Sequence, residues 1–358
     1  MHRIKAYMLR RFFVTLNLII MLRNTEMLIK QVFDEVAKFV PDLSFITMQR
    51  DGAQVNFRML ANLMIENYPW PVGVELRRLF SINQLGTEQQ AQLFKTLERT
   101  LQFVSFAMLS QVAEEKIKGR IEIPETFRTV FQERFEVLSL GDYIWLLRSL
   151  HTMAKKQKME WFMAEIPEKF TDKFFEDLDF CAKKRNEMAH FQSNPSKSDL
   201  EMQCVILAEK VANVLTCNAF LVKYKLVYVK EIKVLKSKNQ DARFHHNLDL
   251  LHSTHSDFTM EEFDDRKFTE SNSVLLMKSD QSFDEYLNLS PLIIDTGSEV
   301  IDEERRFSIK KDIYLYSKFR NDKLSYTGTE TTEICDLRLL HNYETLVGEF
   351  KEFMTTLS

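Results

Sequence analysis

The chain has 358 residues, 45% hydrophobic and 28% charged, which is enough apolar material to offset the entropy of ordering and excludes wholesale disorder. Only 8 Gly and 7 Pro stand beside 29 Phe and 16 Met, so collagen-like, linker-like and glycine-rich phosphate-loop chemistry is poorly supplied and helices are favoured. A net charge of -4 leaves no global field to hold a polyanion, so any nucleic-acid binding has to come from a local patch.

In chain order, Arg10 and Arg11 precede an apolar run from Phe12 to Leu22 that is too short to span a bilayer, is followed by Arg23 and lacks a small-residue cleavage site. Residues 1–23 therefore read as an N-terminal extension, either an added amphipathic helix or an upstream start with Met21 opening the domain. From Thr25 to Phe220 the apolar residues recur at helical spacing, and Gly and Pro occur almost only where helices should end. Phe33, Val36 and Val40 form one stripe, stopped by Pro41. A second helix runs from about Gln54 to Tyr68, where Pro69 and Pro71 block continuation. Thr87 with Gln90 reads as a capping box opening a long helix with the stripe Leu93, Leu97, Leu101, Val104 and Met108, ending before Gly119. A short helix follows Pro124 through Phe127 and Phe131, another covers Asp142 to Lys156, and a third covers about Thr171 to Arg185. Ser198 with Glu201 reads as a second capping box, opening an apolar helix through Val205 and Leu215.

Around Leu221 the period changes to alternation, with Tyr224, Leu226, Tyr228, Ile232 and Val234 interleaved with lysines. Further strands are expected at Val274 to Met277, Leu292 to Ile294, Ile313 to Phe319 and Leu324 to Thr327, with Asn321-Asp322 as a hairpin turn. Lys236 to Ser273 is weakly patterned, as long loops or irregular strands. The last stripe, Leu339, Tyr343, Leu346, Phe350, Phe353 and Leu357, is a helix that needs a partner surface. The expected fold class is α+β: an all-α bundle over residues 24–221, then a smaller β-rich domain over residues 222–358 with a C-terminal helix.

Several kinds of chemistry are excluded or weak. No G-x-S-x-G, Walker-type loop or H-E-x-x-H occurs. Cys181, Cys204, Cys217 and Cys335 form no C-x-x-C pair and read as reduced thiols, consistent with a cytoplasmic location. His245, His246, His252 and His255 are the one histidine cluster, but their spacing fits no metal-ligand template, so no metal or cofactor is expected. Glu261-Glu262, Asp264-Asp265 and Asp302-Glu303-Glu304 lack a calcium-loop arrangement and read as solvated turns. Trp70, Trp145 and Trp161 can stack on bases, yet aromatics at helical spacing are more often core.

The most informative segment is Arg185-Asn186-Glu187-Met188-Ala189-His190, at the end of one helix and in front of another. Imidazole titrates near neutrality and can move a proton to or from a ribose hydroxyl, and a guanidinium offers a fork for phosphate oxygens. The bland alternative is that Asn186 and His190 satisfy backbone groups while Arg185 pairs with Glu187 or Asp179. Asp179 and Lys183 read as an ordinary i,i+4 surface pair.

Arg185, Asn186 and His190 match the R-N-x-x-x-H signature, and the segment resembles that of the HEPN superfamily. Two softer stretches, Tyr68-Pro69-Trp70-Pro71 with Leu76-Arg77-Arg78, and Leu138-Ser139-Leu140-Gly141 with Trp145, resemble HEPN-type domains of prokaryotic toxin, antiviral-defence and signalling proteins. The resemblance implies a helical bundle that pairs into a homodimer, with both signatures facing one composite cleft and cleaving RNA without a metal. On that scheme His190 is the acid/base, Arg185 the phosphate clamp and Asn186 the positioning amide. Lys183 and Lys184 would bind RNA, with Lys155, Lys156 and Lys158 adding positive potential. The competing expectation is a non-catalytic HEPN-like sensor or adaptor that dimerises and docks a regulatory protein partner or a nucleotide-type ligand. Neither reading involves a membrane.

Overall fold

The computed structural model describes residues 25–43, 56–82, 84–190, 196–252, 259–265, 269–278, 283–297, 300–301, 308–331, 334–340 and 342–358, the side chains of 189, 190, 259, 260, 263, 264, 334 and 336 excepted. Residues 1–23, His255 and Asp302-Glu303-Glu304 lie outside the described residues. The molecule is mixed helix and sheet with a C-terminal helix. Helices come first: α1 (25–36), α2 (Phe57–Asn67), α3 (Trp70–Ser81), α4 (Thr87–Ile117), α5 (Glu125–Arg134), α6 (Leu140–Gln157), the short α7 (Ile166–Lys169), α8 (Asp172–His190) and α9 (Lys197–Cys217). Every named strand among the described residues follows Tyr224, and α10 (Tyr343–Leu357) closes the chain.

Local sequence explains most boundaries, with corrections. Asn56 caps α2 through its side chain, which accepts from the Met59 N–H at 3.1 Å. Pro71 does not stop structure; it sits in the first turn of α3, where its missing N–H costs nothing. Thr87 is not a cap: Gly86 precedes α4 without a side-chain cap bond, and Thr87 is the first helical residue. The second expected capping box is displaced two residues, to Ser196, whose Oγ accepts from the Asp199 N–H at 3.2 Å. An overlooked box opens α6, where the Ser139 N–H donates to Asp142 Oδ2 at 2.9 Å.

α4 is the axis of the molecule. It packs against α3, α6, α9 and α10, so it is buried on nearly all sides and not only along the expected stripe. Its buried polar groups must therefore find partners. Thr96 and Thr100 hydroxyls donate back to Gln92 O (2.9 Å) and Thr96 O (2.8 Å), and Gln102 Nε2 donates to Tyr316 O at 3.0 Å.

The strands form a five-stranded sheet in the order β3-β2-β1-β4-β5, a four-stranded sheet in the order β11-β10-β9-β6 and a small β7-β8 pair. Their ranges are β1 Lys225–Leu235, β2 Arg243–Leu250, β3 Thr259–Asp265, β4 Val274–Met277, β5 Tyr286–Asn288, β6 Ile293–Asp295, β7 Val300–Ile301, β8 Ser308–Ile309, β9 Ile313–Arg320, β10 Lys323–Gly328 and β11 Ile334–Asp336. All recorded pairings are antiparallel. Asn321 (φ 51°) and Asp322 (φ 58°) turn the β9–β10 hairpin in the left-handed conformation such residues tolerate. Glu261, Glu262 and Asp265 lie on strand β3 and are not turn residues.

The four-stranded sheet shares the helical core. Tyr316 stacks on Phe135 (5.0 Å) and Phe350 (4.8 Å), and its hydroxyl donates to Phe135 O at 2.6 Å. The partner surface of α10 is thus supplied by its own chain. The five-stranded sheet also keeps a small separate core of Val227, Val229, Leu248, Leu275, Met277 and Phe283.

Candidate functional site

α8 runs to His190, past the expected end near Arg185, so the Arg185–His190 segment is its C-terminal portion, at the end of one helix and in front of the next as expected. The reason is compositional, since the segment contains no Gly, no Pro and no β-branched residue to interrupt it. At about 100° per residue, positions 186 and 190 are about 40° apart around the axis and share a face, whereas 185 and 190 are about 140° apart. The side chain of His190 lies outside the described residues.

Asn186 is exposed. Arg185 turns toward α4, its Nη2 3.4 Å from Glu98 Oε2. Neither carboxylate that the sequence offered Arg185 is its partner: Asp179 pairs with Arg148 at 2.9 Å, and Glu187 with Lys184 at 2.6 Å. The hydrogen bond from Lys184 holds the Glu187 carboxyl below its usual range. Lys183 is exposed, and no Asp179–Lys183 ion pair occurs among the described residues.

Glu98 ties this segment to something the sequence reading missed. It stands at a polar cavity of about 270 Å³ between α4, α6 and the four-stranded sheet, lined also by Lys95, Arg99, Gln102, Tyr143 and Ser317. Burial pushes the Glu98 carboxyl up, against the opposing pull of Arg185 and Arg99. One signal was available: the charged Glu98-Arg99 pair stands inside the Leu97 to Leu101 stretch of the long helix.

The other lysines lie elsewhere. Lys155 and Lys156 line a groove of about 840 Å³ with Arg148, His151, Phe170 and Phe175. Phe175 is ten positions before Arg185, about 15 Å along the helix axis, so this groove serves the opposite end of α8. Burial, with Lys155 nearby, lowers the His151 pKa. Lys158 is the left-handed C-cap of α6 at φ 55° and lines a different groove.

The histidine cluster is dispersed. His252 is buried and structural: its Nε2 accepts from the Leu226 N–H at 2.7 Å and its Nδ1 donates to Asn67 O at 3.2 Å, joining α2 to β1. Burial drives its pKa down to about 3. His246 is buried against the Phe283 ring, centroids 4.4 Å apart, and His245 is paired in register with Lys233. No group of three metal-ligating side chains occurs among the described residues. Trp70 and Trp161 are buried, and Trp145 stacks on Phe127 at 5.4 Å, so none of the three is an open stacking platform. All four cysteines are free, and burial raises the thiols of Cys181 (to about 12) and Cys217 (to about 11). No described helix is long and apolar enough to cross a membrane.

Comparison with protein-family models, with curated proteins and with solved structures finds no match.

Proposed function

We propose that the chain is a HEPN-type, metal-independent endoribonuclease of a toxin or antiphage defence system, working in the cytoplasm as a homodimer. One observation carries the reading. Arg185, Asn186 and His190 stand on the terminal turns of one helix, where Asn186 and Lys183 are exposed and Arg185 is half-buried. That is an arrangement a polynucleotide strand can reach.

On this reading His190 takes the proton of a ribose 2′-hydroxyl, whose oxygen attacks the adjacent phosphorus. The P–O5′ bond breaks, leaving a 2′,3′-cyclic phosphate, and the departing 5′-oxygen takes a proton from the second subunit's acid. Arg185 holds the phosphoryl oxygens where charge builds. Asn186 shares the helix face of position 190 and orients imidazole or phosphate. The resemblance implies two copies facing one cleft, an arrangement in which an arginine of one subunit can serve a histidine of the other.

A second reading, the non-catalytic sensor or adaptor, is favoured by the Arg185–Glu98 ion pair, which partly neutralises the clamp. The assay that separates them is incubation of the full chain with single-stranded RNA in EDTA. Cleavage is expected, with loss of about a thousandfold in rate for His190→Ala and an unchanged melting temperature. Cleavage that persists in that variant removes His190 from the mechanism, and a wild type inert on RNA favours the adaptor.

A further inference from the structure

The guanidinium of Arg99 is a buried charge with too few partners. Its side chain sits on α4 with 9% of the residue exposed, and among the described residues it makes one hydrogen bond, from Nη1 to Gln102 Oε1 at 2.7 Å. No carboxylate lies within ion-pair distance of it among those residues, in contrast to Arg77 and Arg78 in the same neighbourhood, which engage Glu330. A buried cation whose one hydrogen-bond partner is neutral is costly; burial lowers the Arg99 pKa, and Glu75, Tyr143, Glu98 and Asp312 oppose that through space without bonding to it.

The surroundings say what that would be. Arg99 lines the cavity of about 270 Å³ described above, with Lys95 at its exposed side and the hydroxyls of Tyr143, Ser317 and Thr327 around it. Burial, with Glu98 adding to it, keeps the Tyr143 phenol protonated far above neutrality, so it remains a donor. Two carboxylates also line the space, yet both are engaged with other partners. Glu75 accepts from Arg78 at 2.8 Å and from Gln92 at 2.6 Å, and Glu98 faces Arg185 at 3.4 Å. The cavity is therefore lined by two cations and three hydroxyl-bearing side chains, drawn from four elements, α4, α6, β9 and β10. A planar carboxylate uses a fork; a tetrahedral phosphate, with three terminal oxygens, uses donors from several directions.

We propose that this cavity is a binding site for a small phosphate monoester, with the Arg99 fork and the Lys95 ammonium as its charged contacts and the hydroxyls of Tyr143, Ser317 and Thr327 as neutral donors. The site draws its donors from both the helices and the four-stranded sheet, so occupancy braces one against the other. It borders the Arg185–Glu98 pair but stands independently of the cleavage reading.

The experiment is calorimetric titration of the full chain with inorganic phosphate, adenosine 5′-monophosphate and adenosine at low ionic strength, with thermal unfolding as a second readout. Saturable binding of a phosphate species and a raised melting temperature are expected, with the tighter of the two separating free phosphate from a nucleotide. Lys95→Gln, an exposed substitution, is expected to weaken binding several-fold at unchanged melting temperature. Arg99→Lys, which keeps the charge and loses the fork, is expected to weaken it about tenfold. Absence of binding up to about 10 mM, a Kd outside the useful range of small ligands, overturns the proposal. So does adenosine binding as tightly as its monophosphate, or Lys95→Gln binding like wild type. If Arg99→Lys does not fold, Lys95→Gln decides.

Discussion

Polar side chains meet opposite fates at the seam between helices and sheets and at the far end of α8. At the seam, Arg78 reaches from α3 to Thr329 O (3.0 Å) and Glu330 O (2.6 Å), oriented by Glu75 of its own helix at 2.8 Å, while the Glu330 N–H donates to the buried Asp312 at 2.8 Å. His252 and Tyr316 likewise bond across it to backbone on the other side. At the end of α8, Arg185 has a single ion pair and Asn186 and Lys183 face solvent. The difference follows from desolvation. Out of water an unpaired charge costs several kcal/mol, so Arg78, His252 and Tyr316 are matched across the seam and Arg99, with one neutral hydrogen-bond partner, is the exception there, whereas exposed groups carry no such constraint. Polarity at the seam therefore holds the two parts of the chain together, and polarity at the helix end faces solvent.

Substitutions ranked by their effect on stability can break or sharpen that contrast. Glu330→Ala removes the carboxylate that Arg77 and Arg78 share across the seam and is expected to cost about 2 kcal/mol in urea unfolding; a loss below about 0.5 kcal/mol would mean the seam is not held by its charges. His252→Ala removes both bonds that join α2 to β1 and should cost about 2 kcal/mol. It should also change the acid limb. In the wild type the folded imidazole, with its pKa lowered to about 3, refuses a proton that the unfolded chain accepts near 6.5, so stability falls as pH drops through that window. The variant should lose that slope in unfolding measured against pH. Tyr316→Phe deletes the donor to Phe135 O while keeping the ring stack, and about 1 kcal/mol is expected from thermal unfolding. At the other end, Asn186→Ala and Lys183→Gln should change stability by less than about 0.5 kcal/mol. On the proposed function Asn186→Ala slows RNA cleavage more than tenfold. Lys183→Gln weakens RNA binding with a salt slope shallower by about one, read by filter binding at several salt concentrations.

Regular elements were the most legible part of the chain. The 274–277 and 313–320 strands and the hairpin at Asn321-Asp322 are fixed by alternation and by residues that tolerate left-handed backbone, signals that live within a few positions. The strands β2 and β3 were ambiguous because Arg243–Leu250 and Thr259–Asp265 mix charged and apolar residues, and their pairing with β1 supplies what alternation did not. Caps were misplaced by one residue at α4, where Thr87 is the first helical residue and not the cap, and by two at α9, where Ser196 and Ser198 both stand near the start. Of the candidate site, the segment itself was visible as a string of polar residues after an apolar helix. Its ion partner was not, because α5, α6 and α7 lie between Glu98 and Arg185 in the chain and only packing brings them together.

What the sequence determined unaided was the succession of helices followed by strands and a last amphipathic helix, because spacing of apolar residues acts locally. Only the tertiary structure decided that α4 is enclosed on nearly every side, that Arg99 is buried with a cavity beside it, that α10 seats on Tyr316 and Phe135, and that His252 is a brace and not a ligand. Those outcomes depend on which surfaces exclude water from one another, and that is a property of the assembled layers that no single segment carries.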